Sequence, residues 1–163
     1  MTGECVVSNS SALIALHQIG RLDLLAGPVE MVFIPPPVAV DVRPTISTPP
    51  LWMLEQSIKG GHDSRVLMAA LDSGETEALC LALEVTPRFI LLDERPARRV
   101  AKQLNLPVIG TLGVLLRAKE YGLLTAIQPS LDALVTVEFY VTAGLYDRVL
   151  VDAGEAPGSF LVE

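Results

Sequence analysis

The chain has 163 residues, half of them apolar and 19% charged, with a net charge of −7. That size and composition suit one globular domain with a substantial core and exclude a disordered chain. The acidic balance argues against a nucleic-acid binder that works through bulk charge, so any such role must rest on where the basic residues are placed.

The first candidate strand, residues 4–8, is short and apolar, and Asn9-Ser10-Ser11 ends it and caps the helix that follows. Ala12, Leu13, Leu16 and Ile19 are spaced for that helix's buried face, and Gly20 stops it. Arg21 to Leu25 reads as a short second helix closed by Gly27-Pro28. Met31 to Ile34 reads as a second strand, and the prolines after it open a helix from Pro36 to Val42. Residues 43–65 are rich in Pro, Gly and Ser and read as a long excursion, with a helical turn or two near Leu51–Ile58.

Asp72-Ser73-Gly74 opens the clearest helix, Glu75 to Glu84, on which Ala78, Leu81, Ala82 and Val85 share a face. Arg88 to Leu92 is an apolar strand with Asp93 at its end. Pro96 starts a helix to Leu104, Pro107 to Ile109 is another strand, and Thr111 caps a helix to Tyr121. Two further helices fit residues 129–136 and 142–152. Short apolar strands alternating with helices predict an α/β fold, a mainly parallel sheet covered by helices on both faces, in a single domain spanning 1–163. No internal repeat or low-complexity tract interrupts it.

Cys5 and Cys80 each lie in an apolar run outside any C-x-x-C pair and read as reduced core residues. His17 falls on a helix surface and His62 in a loop, far apart and without cysteine partners, so no zinc site is expected. No basic region precedes the apolar N-terminal stretch and no window approaches 18 uninterrupted apolar residues. The expectation is a cytoplasmic, reducing setting without membrane insertion. The high apolar share also points to a surface hidden in an oligomer, a homodimer being the commonest form.

Ligands of such sheets bind beyond the carboxyl ends of the strands. Asn9 follows the first strand, Asp41 lies on the helix after the second, Glu75 and Glu77 lie in the first turns of the Glu75–Glu84 helix, and Asp93 and Glu94 follow the strand at 88–92. Converging carboxylates repel unless a cation sits among them, and hard oxygen donors select Mg²⁺, Mn²⁺ or Ca²⁺ over zinc. Each residue also has a plain role: Asn9 and Asp93 as helix caps, Asp41 as a solvated helix-end acid, Glu75 and Glu77 as partners of the helix dipole. Arg95, Arg98, Arg99 and Lys102 recur at i, i+3, i+4 and i+7, one face of the helix beside Asp93. That face is either a solvated surface or a phosphate-tracking stripe.

Several segments together resemble the PIN-domain superfamily, in a prokaryotic branch similar to VapC-type toxins. They are Val6 to Leu16, Gly20 to Leu25, the run Leu71-Asp72-Ser73-Gly74-Glu75-Thr76-Glu77-Ala78, Leu91 to Arg95, and Leu106 to Gly113. The resemblance implies a three-layer α/β/α fold and a Mg²⁺- or Mn²⁺-dependent ribonuclease, one use of which is as a toxin restrained by an antitoxin protein. It places the family's acids at Asn9, Asp41, Glu77 and Asp93 as catalytic and metal-holding positions, with Glu75, Glu94 and Ser11 as secondary candidates. Asn9 stands where the family has Asp, and its carbonyl can ligate a cation without contributing charge. The alternative is therefore a catalytically weakened PIN module that binds nucleic acid or protein.

Overall fold

The computed structural model describes residues 4–26 and 31–155. Along the chain run β1 (Cys5–Ser8), α1 (Ser10–Gln18), a 3₁₀ turn at Leu22–Leu25, β2 (Met31–Ile34), α2 (Pro36–Val42), β3 (Met53–Glu55) and α3 (Ser64–Leu67). Then come α4 (Ser73–Val85), β4 (Phe89–Leu91), α5 (Arg95–Gln103), β5 (Val108–Ile109), α6 (Thr111–Glu120), α7 (Gln128–Thr136) and α8 (Ala143–Asp152). The Gly27-Pro28 stop lies outside the described residues.

The strands form one sheet in the order β3-β2-β1-β4-β5, with every neighbouring pair parallel. Side chains alternate across it and divide the core in two. Val6 and Leu91 belong to the layer under α1, α6, α7 and α8, while Val7, Ile90 and Leu92 belong to the layer under α4 and α5. Burial on both faces accounts for the uninterrupted apolar strands, and the molecule has the three-layer α/β/α architecture of a PIN-like fold.

Local chemistry sets most element ends. Asp72 caps α4 by accepting the Glu75 N–H at 2.8 Å, and α4 ends at Thr86, left-handed with φ 45°, ahead of Pro87. Gly20, at φ 72°, makes the turn that closes α1.

Three details differ from the sequence reading. The excursion after α2 returns to the sheet, so residues 53–55 form edge strand β3 instead of a helical turn. Three residues carry no readable period, and this strand exists through backbone pairing with β2, including Val32 N–H to Trp52 O at 2.8 Å. Asn9 occupies the cap position of α1, yet its side chain makes no capping bond. The cap position of α6 belongs to Gly110, with Thr111 inside the helix.

Candidate active site at the carboxyl edge of the sheet

The chain lays β2 and β3 to one side of β1, then places β4 and β5 on the other. The crevice between β1 and β4 is thus the topological switch point, where α/β sheets bind ligands. Asn9 and Asp93 flank it. Asn9 N–H bonds Leu91 O at 3.1 Å, which holds the two strand ends together.

Asn9 is 5% exposed, and its side chain makes no hydrogen bond to any described residue. The residue as a whole is buried, but its side-chain amide atoms are not fully enclosed, so they keep contact with solvent at the crevice and remain open to a further ligand. Its alternation with Val7 carries it toward the α4 side, where a Cβ added to Gly74 would stand 3.2 Å from Asn9 Oδ1 and 3.4 Å from Val38 Cγ2. Gly74 therefore lets the start of α4 close over Asn9 while α2 packs alongside.

Glu75 follows Gly74 and is 8% exposed. Burial pushes its carboxyl up to about 7, helped by the Asp72 carboxyl against it and by the negative charge of Glu94. No cation among the described residues offsets this group. Asp72 and Glu75 have capping-box spacing, but the close approach is between their two carboxyls, which the same box would otherwise keep apart.

Asp93 faces the other wall. Its Oδ1 accepts the Thr111 N–H at 2.8 Å and its Oδ2 accepts the Thr111 hydroxyl at 2.6 Å. It thus anchors the N-terminus of α6, across the sheet from the helix that follows it, where a carboxylate also meets the helix dipole favourably. Each oxygen keeps a lone pair for a further donor or ion. Glu94 takes the cap position of α5 without a capping bond.

The remaining predicted residues are placed as follows. Asp41 is exposed on α2, three residues beyond Val38. Glu77 lies two residues, and so roughly 200° of helix, past Glu75. Its Oε1 approaches His62 Nε2 at 3.7 Å, away from Asn9. Ser11, in the first turn of α1, has a buried Oγ with no partner among the described residues. Arg95, Arg99 and Lys102 are exposed along α5, and Arg98 is part-buried. Asp72, Gly74, Gly110 and Thr111 join the site without having been singled out for it. The only sequence signal for them was local: a capping-box spacing and a glycine beside each helix start.

Among the described residues, no three His, Cys, Asp or Glu side chains stand close enough to enclose a metal ion. The donors do suit an ion that keeps much of its water: Asn9 carbonyl, the Glu75–Asp72 pair and Asp93 supply hard oxygens, and Mg²⁺ is commonly held by one or two carboxylates. Partial enclosure has a geometric cause, since Asn9 faces α4 while Asp93 is turned to α6.

No helix among the described residues is long and apolar enough to cross a membrane. No curated protein matches the chain significantly. The family model DUF3368, described as a PIN domain, matches residues 5–155, nearly the whole chain. The chain belongs to the PIN-domain family.

Proposed function

We propose that the protein is a divalent-metal-dependent ribonuclease working at the β1–β4 crevice. The observation that carries this reading is the Asn9 side chain, which makes no hydrogen bond to a described residue, packed at the start of α4 where Asp72 and the buried Glu75 bring their carboxyls together. PIN domains in general depend on divalent metals, and this arrangement supplies an oxygen pocket short of positive charge. The proposed set is Asn9, Glu75, Glu77 and Asp93, with Asp41, Glu94 and Ser11 around it. Glu77 remains in the proposed set as the position the family resemblance gives, and Glu75 is added because it is the buried acid of α4, next to the Gly74 that packs on Asn9.

Mg²⁺ or Mn²⁺, when bound, would supply Lewis-acid polarisation of the scissile phosphate and acidify a water. The chain's own residues do the rest. Asn9 and Glu75 offer oxygens from one wall. Glu75, titrating near neutrality, exchanges its proton for a cation within the physiological range. Asp93, held by Thr111, orients a water from the other wall. Attack of that water on phosphorus would form a new P–O bond and break the P–O bond to the leaving ribose oxygen, which departs as a hydroxyl after taking up a proton released by the water. The α5 stripe would draw the strand in through its phosphates.

In its cellular role we read the protein as a single-domain cytoplasmic homodimer, and as the toxin of a toxin–antitoxin pair. One observation favours a second reading, a weakened module that binds RNA or protein: Asn9 removes a negative ligand from a pocket already open on one side. RNA cleavage with Mn²⁺, comparing the parent with Asn9→Asp, decides between them. Cleavage by either form supports the nuclease; cleavage by neither, with no Mn²⁺ binding by calorimetry, leaves the binding module.

A further inference from the structure

By spacing, Arg98 belongs to the basic stripe; by environment it does not. Arg95, Arg99 and Lys102 are exposed, whereas Arg98 is part-buried and donates Nη1 to the Leu92 carbonyl at 2.8 Å. Leu92 immediately precedes Asp93, so this bond draws the guanidinium back from α5 to the end of β4. Gly110 makes the room. A Cβ there would lie 2.8 Å from Arg98 Nη1, 3.0 Å from Asp93 Oδ1 and 3.6 Å from Leu92 O. Gly110 has φ −104°, open to any residue, so it is space and not backbone conformation that favours glycine.

Guanidinium and carboxylate therefore face one point at the crevice wall. Asp93 already takes both of its recorded hydrogen bonds from Thr111, and Arg98 has no ion-pair partner among the described residues. One of five guanidinium N–H donors is used. A planar cation with spare donors, fixed beside an acidic pocket, fits phosphate oxygens better than a mobile surface charge does.

We propose that Arg98 is a phosphate ligand inside the site, seating an RNA phosphodiester against the carboxylates, while Arg95, Arg99 and Lys102 only attract the strand. This rests on the ribonuclease reading above. The test measures binding of a short single-stranded RNA oligonucleotide in EDTA, and its cleavage in Mn²⁺, for the parent, Arg98→Ala, Arg98→Gln and Arg99→Ala. Arg98→Gln removes the charge and keeps a polar, unbranched stem, so with its melting temperature as a control it separates a folding role from a phosphate ligand even where Arg98→Ala folds poorly.

The expected result is a loss of about tenfold or more in affinity for Arg98→Gln, the size of a charged hydrogen bond, and a clearly smaller loss for Arg99→Ala. In cleavage, Arg98→Gln should raise KM, with its melting temperature unchanged. Equal losses at both positions, or full affinity in Arg98→Gln, would overturn the proposal, as would a parent that does not bind the oligonucleotide. The binding measurement judges Arg98. The cleavage measurement, read on the parent and Asn9→Asp, judges the nuclease reading separately.

Discussion

Replacing Glu75 by Gln should leave the metal-free protein unchanged at acid pH and make it more stable above neutrality. The Glu75 carboxyl lies at about 7, against an ordinary 4.5, because it is buried beside Asp72 and Glu94. A folded-state value above the unfolded one means that the native state binds the extra proton. The stabilisation is then complete below about pH 4.5 and is lost as the pH rises through about 7. At about 1.4 kcal/mol per unit, ionising Glu75 costs at most about 3 kcal/mol at pH 8. Gln mimics the protonated form, so the stability gap between variant and parent should open between pH 4.5 and 7 and stay constant beyond. For a chain of this size about 3 kcal/mol corresponds to roughly 6–12 °C in melting temperature. The assay is thermal unfolding from pH 4 to 9 in EDTA, repeated with Mn²⁺. Added Mn²⁺ should narrow the gap, because the ion takes the proton's place in the parent and finds one charge fewer in the variant. Parallel melting curves for the two proteins at every pH would mean that Glu75 is solvated, and the charge-deficient pocket would be refuted.

Asn9→Asp should destabilise the metal-free protein by about 1–3 kcal/mol by adding a second buried acid near Glu75, yet tighten Mn²⁺ by about tenfold or more; calorimetry showing no tighter binding would remove Asn9 from the proposed site. Thr111→Val deletes the hydroxyl 2.6 Å from Asp93 Oδ2 and should cost about 1–3 kcal/mol in urea denaturation. An unchanged urea midpoint would show that Asp93 does not depend on that bond. Mutating Arg95, Arg99 and Lys102 together to Ala should shallow the slope of log affinity for RNA against log salt by about 2, and an unchanged slope returns them to the solvated surface. Leu51, Met68 and Tyr140 are 96%, 86% and 84% exposed. Covering such side chains in a homodimer predicts twice the 17.5 kDa chain mass by light scattering at micromolar concentration.

The sequence by itself determined the parts of this protein governed by local rules. Apolar runs such as Cys5–Ser8 and Phe89–Leu91 have no polar face, which already required a buried parallel sheet, and Asp72 three residues before Glu75 already marked the start of α4. From those elements the carboxyl edge, and Asn9 and Asp93 upon it, were legible. Edge strand β3 was not, because three residues become a strand only when the backbone of β2 is beside them. Nor was the difference in burial between Glu75 and Glu77. Both sit in early turns of one helix, and which of them is buried depends on the rotation of α4, on which Gly74 packs against Asn9 and Val38. The stripe on α5 was visible as a period, whereas the separate station of Arg98 came from a carbonyl at Leu92 and the missing side chain of Gly110, contacts from two other strand ends. Spacing along a chain fixes which face of an element a residue shares. What that face meets is decided by the packing of segments far apart in sequence, and here that packing put Asn9 against α4 and turned Asp93 to α6.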